Sequence, residues 1–258
     1  MKPSLLTVLF FSLCSGLFFR AYARDFYQLT VYEYTSDEQE KQLDSYLENA
    51  YLPALHRAGI ADVGVFKPFP KQEEKILRSI YVFIPFKNRK SFFNLEHRLS
   101  KDKEYQETGA AYINAAYDSP PFDRKEVILM DAFTGHGHYR LPALKSSMQD
   151  RVYELRSYES ATEKLYRNKV RMFNKGDEIG LFRKLGFNAV FYAEVVSGSQ
   201  MPNLMYLTTF ENMQSREEHW KTFGDDPYWK SLSGKAEYRN NVSRAEIMLL
   251  YPVAYSDI

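Results

Sequence analysis

Residues 151–160 read RVYELRSYES, and residues 25–34 read DFYQLTVYEY. Both run Tyr-(Gln/Glu)-Leu-x-x-Tyr-Glu, with Tyr27, Gln28, Leu29, Tyr32 and Glu33 answered by Tyr153, Glu154, Leu155, Tyr158 and Glu159. Alternation of this kind predicts a strand. Its recurrence predicts a duplicated domain, because a repeat of this length is too long for a solenoid.

The segments that follow repeat in order. After Asp25–Tyr34, the positions Leu43, Leu47, Tyr51 and Leu55 fall at helical spacing within 37–57, and Gly59 ends that helix. Strands are expected near 61–68 and 78–86, a helical region at about 89–116 and a closing strand at 125–133. The second copy gives a strand at 151–159 and a helix over 163–185, broken near Asn174–Gly176. Strands follow at 187–196 and 204–210, helices at 213–223 and 227–238, and a last strand at 244–252. Ser197–Pro202 and Gly135–Asp150 read as loops by composition.

The order β-α-β-β-α-β is ferredoxin-like, an antiparallel sheet with both helices on one face. Its other face is too broad to leave wet. The expected fold is therefore α+β: two tandem ferredoxin-like domains packed sheet to sheet within one chain. The expected division is 1–23 signal peptide, 25–134 first domain, 135–150 linker and 151–255 second domain.

Composition narrows the function. Hydrophobic residues make up 45% and charged residues 26% of the 258, as in a chain with a real core, and 20 Tyr with 19 Phe favour strands and large contact surfaces. Met1–Lys2, the apolar run Leu5–Phe19 and Ala21-Tyr22-Ala23 read as a secretory signal cleaved before Arg24. The expected location is periplasmic or secreted, with no membrane span in the mature chain. The one cysteine, Cys14, lies in that segment, so neither disulfides nor thiolate metal sites are expected after cleavage. Removing Lys2 and Arg20 from the 34 basic residues leaves 32 against 33 acidic ones, which gives no electrostatic case for nucleic acid.

A family resemblance rests on two motifs. Tyr153-Glu-Leu-Arg-Ser-Tyr158 resembles the YELRxY opening strand of NIPSNAP domains. Trp220-Lys-Thr-Phe223-Gly-Asp-Asp226-Pro227-Tyr-Trp229 resembles that family's W-x-x-F-x-x-D-P-x-W segment. The likeness covers about 151–253. The first copy is more diverged: Tyr105 stands where Trp229 would pair, Asp102 is followed by Lys103, and Trp220 has no clear counterpart. The resemblance implies the dimeric α/β-barrel superfamily, which includes monooxygenases and haem-binding chlorite dismutases, and implies a ligand cavity between the sheets. The NIPSNAP branch itself implies no settled activity.

If the more apolar strand face meets the helices, Glu154, Arg156 and Tyr158 look into the inter-sheet space, as do Gln28, Thr30 and Tyr32 from the first copy. Tyr192 and Glu194 join them from the strand at 187–196. The functional reading makes these residues a partly polar ligand cavity, with Arg156 as an anion clamp. The competing reading makes them an ion-pair network in which Arg156 bridges Glu154 and Glu194. Asp226-Pro227 reads as a helix start rather than a catalytic step. His136 and His138 read as an exposed loop pair and His219 as solvated; no third ligand accompanies them, and no metal or cofactor is expected. The chain also lacks P-loop, GxGxxG, GxSxG and HExxH motifs.

The function read from these residues is binding of an unidentified small molecule, or a scaffold role, in the exported space. Cofactor-independent oxidation is the alternative and haem binding a second. Whether the chain pairs further as a homo-oligomer stays open.

Overall fold

In the computed structural model, residues 24–69 and 78–258 are described; the signal-peptide expectation lies outside them. Eight strands carry the fold: β1 Phe26–Tyr34, β2 Gly64–Pro68, β3 Arg78–Phe86, β4 Arg124–Ala132, β5 Val152–Glu159, β6 Asn188–Ser197, β7 Asn203–Phe210 and β8 Arg244–Pro252. Each half orders its strands in the ferredoxin-like way, β4-β1-β3-β2 and β8-β5-β7-β6. The halves do more than stack. β2 pairs antiparallel with β8, and β4 with β6, so the two sheets close into one eight-stranded antiparallel barrel. Closure removes the free edges that two separate sheets would leave.

The helices lie outside the barrel. In the first half, α1 Asp37–Tyr46 runs through a π-helical stretch, Leu47–Tyr51, into α2 Leu52–Arg57. Ser36 and Gln39 form a capping box at its start, and three acidic residues occupy its first turn. The expected helix at 89–116 is four short pieces: α3 Arg89–Phe93, α4 Leu95–Leu99, α5 Lys103–Thr108 and α6 Ala110–Ile113. The second half has α7 Glu163–Asn174, α8 Glu178–Lys184, α9 Met213–Asp225 and α10 Pro227–Gly234. The break between α7 and α8 falls where the sequence placed it. Gly59 and Gly186 hold equivalent places after α2 and α8, and both have positive φ (83° and 81°), a conformation costly for a side chain.

Three cores result. One lies between the first half's helices and its sheet and holds Tyr32, Tyr34, Leu43, Leu47 and Tyr105. A second lies under α7–α10 and holds Phe173, Phe182, Tyr192, Tyr206 and Phe223. The third is the barrel interior, with Tyr27, Leu29, Phe83, Tyr153, Leu155, Phe191 and Leu207. Phe83 and Phe191 stack across it, centroids 4.9 Å apart and 7° from parallel, joining the two halves.

Candidate functional site at the barrel mouth

The sheet faces are reversed relative to the expectation from polarity. Tyr153 and Leu155 point into the barrel, whereas Glu154, Arg156 and Tyr158 lie beneath the helices. Gln28, Thr30 and Tyr32 likewise sit on the helix side of the first half; Gln28 Nε2 donates to Thr30 Oγ1 at 2.8 Å, and Tyr32 packs on Tyr112 and Phe122. Tyr192 and Glu194 also face outward. None of the eight lines the inter-sheet space. The reason is that both faces of each sheet are covered. Polarity could choose a face only if one face met water. Here the helices supply the partners that the polar residues need, and the closed interior does not.

What those residues build is a satisfied network. Glu154 is 0% exposed. Its Oε1 accepts from Arg156 at 2.5 Å, and its Oε2 from Arg216 Nε at 2.6 Å and Trp220 Nε1 at 2.8 Å. Arg156 also donates to Tyr158 (2.9 Å) and lies 3.7 Å from the Trp220 ring centre. Burial opposes its charge, yet Tyr206, Tyr158 and Glu154 together hold its pKa above the ordinary value. Tyr158 and Tyr206 share a hydrogen bond of 2.8 Å. Beside them Lys169 meets Glu178 at 2.9 Å, and burial raises the Glu178 pKa in spite of that partner. Arg156 does not reach Glu194, which instead accepts from Tyr166 at 3.2 Å and lies 3.7 Å from Arg24.

Other motif residues fall into place. Asp226 caps α10, accepting from Tyr228 N at 2.7 Å. Asp102 caps α5 from the equivalent position without a following proline, accepting from Tyr105 N at 3.0 Å. The histidines do not gather, and no metal-binding group of three occurs among the described residues. His138 meets Asp25 at 2.9 Å. His219 Nδ1 donates to the Ser215 carbonyl oxygen at 2.6 Å, and the ring packs on Phe187 and Phe210, so it is not simply solvated. His136, expected in an exposed loop, is buried against Tyr192.

The barrel is packed for most of its length but hollow at one end. A cavity of about 180 Å³ opens there. Its floor is Leu29, Ile128, Leu155, Met205 and Met248, and its rim is Glu33, Glu126, Glu246, Ser157, Gln200 and Tyr81. Register makes the rim nearly two-fold: Glu126 pairs with Val31 across β4 and β1, and Glu246 with Ser157 across β8 and β5. Gln200, in the β6–β7 turn, donates to Glu246 Oε2 at 2.8 Å, and the neighbouring Ser199 donates to Glu126. Burial, with Glu246, Glu33 and Glu126 close by, raises the Tyr81 pKa, so it stays a neutral phenol. No lysine or arginine lines the cavity among the described residues. Arg244, outside the lining, pairs with Glu246 Oε1 at 2.5 Å, so Glu33 and Glu126 leave the rim able to accept positive charge above an apolar floor.

Sequence reasoning missed these rim residues, though a signal was present. Arg124-Lys-Glu126-Val-Ile-Leu-Met130 and Arg244-Ala-Glu246-Ile-Met-Leu-Leu250 repeat one another, and each places a glutamate in line with inward apolar residues.

This fold is the dimeric α/β barrel, realised within a single chain. Residues 153–257, the second half, match the NIPSNAP family. Among solved structures, a candidate monooxygenase from Fusobacterium nucleatum is similar, with a TM-score of 0.60 at 11% identity over 90% of this chain and 93% of that one. A candidate monooxygenase from Lactobacillus acidophilus gives a TM-score of 0.57 at 9% identity over 89% and 94%. At such identities the likeness is one of fold. No curated protein matches the chain.

Proposed function

We propose that this chain is an exported small-ligand binding protein whose ligand enters the barrel at the hollow mouth. The observation that supports this most is the cavity itself: the open mouth of the barrel has an apolar floor and three carboxylates at its rim. Its volume, about 180 Å³, lies below the range usual for drug-sized ligands. The ligand class is therefore a compact amphipathic amine, with its cationic head at Glu33 and Glu126 and its body on Leu155, Met205 and Met248. Export rests on the apolar segment Leu5–Phe19 followed by Ala21-Tyr22-Ala23.

Native mass spectrometry of the mature chain with benzylamine tests the reading. One equivalent should be retained, and the Met248→Trp variant, which fills the cavity, should lose it. Equal retention by that variant would refute the site. A second reading, cofactor-independent oxygenation, is favoured by Glu33, whose carboxylate makes no hydrogen bond or ion pair among the described residues and is placed to take a proton from a bound substrate. Dioxygen uptake with a phenol, lost in Glu33→Gln, would support it.

A further inference from the structure

A second hollow lies outside the barrel, where the segment joining the two halves crosses the end of α8 and the start of β6. It measures about 270 Å³. The crossing segment is pinned in place. Asn174 Oδ1 accepts from Gly135 N at 2.7 Å and Thr134 Oγ1 at 3.0 Å, and Arg140 N donates to the Val190 carbonyl at 2.9 Å.

One buried atom without a hydrogen-bond partner, His136 Nε2, lines this hollow, beside the hydroxyl of Tyr192. Tyr192 is 1% exposed, and its hydroxyl makes no hydrogen bond among the described residues. His136 is 6% exposed, and its Nε2 is likewise unpartnered. Buried donors and acceptors are seldom left so, because each costs about 1–3 kcal/mol. At the rim stand two guanidiniums, Arg140 and Arg183, neither of them ion-paired among the described residues. Both are close enough to act on the buried groups. Burial and the nearby Glu178 carboxylate raise the Tyr192 pKa, and the two arginines oppose that rise; burial lowers the His136 pKa to about 4, and the same two charges add to the fall. The imidazole is thus neutral at pH 7, and among the lining residues the charge comes from the two arginines. The remaining wall is apolar, chiefly Ile179, Leu141 and Phe187.

We propose that this hollow binds a small organic carboxylate with an apolar body. Arg140 and Arg183 take the carboxylate through their planar donor forks. The Tyr192 hydroxyl donates to it, and Phe187 and Ile179 cover the body. Inorganic phosphate would satisfy the arginines but leave the apolar wall wet, so the wall selects the organic ligand. The site is independent of the barrel mouth, which has the opposite charge.

Calorimetric titration of the mature chain with benzoate tests the site. One saturable site is expected. Arg140→Gln and Arg183→Gln should each weaken it about tenfold, the loss of one charge-assisted pair. Tyr192→Phe should weaken it about threefold with no loss of melting temperature, since that hydroxyl has no protein partner to abandon. Benzamide and inorganic phosphate should bind at least about tenfold more weakly than benzoate. Met248→Trp should leave benzoate binding unchanged, which separates this site from the mouth. No saturable benzoate binding, binding unaltered by both arginine substitutions, or phosphate binding as tightly as benzoate would overturn the proposal.

Discussion

The carboxylate of Glu154 and the indole of Trp220 meet at 2.8 Å beneath the helices of the second half. This contact joins the two sequence motifs that carry the family resemblance. The alternate residues of Tyr153–Tyr158 divide their work: Tyr153 and Leu155 fill the barrel, while Glu154, Arg156 and Tyr158 form a ladder that α9 docks on through Arg216 and Trp220. The ladder is a helix-docking device, and its polarity is spent within the protein.

Replacing Glu154 with Ala or Gln should therefore be severe. It would leave buried Arg156 without its carboxylate partner and, in Glu154→Ala, the Trp220 N–H with no acceptor. A loss of about 3–5 kcal/mol is expected, read from urea unfolding midpoints. Arg216→Met should cost less, because Arg216 is the most exposed of Glu154's ion-pair partners. Equal costs would show that the ladder is not centred on Glu154.

Phe83 belongs to β3 and Phe191 to β6, yet they stack at 4.9 Å inside the barrel. Each substitution by Ala should cost about 3–5 kcal/mol. The double variant should cost less than the sum by about 0.5–1.5 kcal/mol, the coupling of a packed aromatic pair. Strict additivity in a double-mutant cycle would mean that the two halves do not share one interior.

His136 gives stability a pH dependence. Its folded pKa, about 4, lies below the usual 6.5, so the unfolded chain binds the proton more readily across that interval. Stability then falls as pH drops through the window. The contribution of this residue is about 2 kcal/mol between pH 7 and pH 5. His136→Gln should remove that part of the slope while the carboxylate titration below pH 4 persists. Parallel wild-type and variant curves from pH 7 to 5 would show that the ring titrates normally.

Much of this was legible in the sequence. The duplicated Tyr-x-Leu phrase, the break at Asn174–Gly176 and the strand at 78–86 all follow from periodicity and turn chemistry, and the helix stop at Gly186 follows from the φ it requires. Three features were not. Barrel closure through β2–β8 and β4–β6 depends on edges that carry no distinguishing side chains. The inward face could not be chosen from polarity, because Glu154 is as buried as Tyr153 and differs only in finding donors on α9. In β6 the register shifts between Ala189 and Phe191, so Val190 and Phe191 both reach the interior, against strict alternation. The mouth was overlooked because its residues come from six strands and a turn, and only the matching stretches 124–130 and 244–250 leave a trace of it in the sequence.

The second half alone should not remain a monomer. Residues 151–258 would expose Tyr153, Leu155, Phe191 and Leu207, together with the free edges of β6 and β8. A two-fold dimer that closes an eight-stranded barrel is the expected state, measurable by sedimentation. A stable folded monomer would contradict the view that each sheet needs the other.

The mouth of the barrel carries the functional claim, and chemical-shift mapping of the mature chain with benzylamine tests it most directly. The account predicts saturable shifts at Ser157, Gln200, Met205 and Met248, weakened about tenfold in Glu126→Gln. Absence of saturable shifts at those residues, or shifts confined to the outer surface, would contradict it.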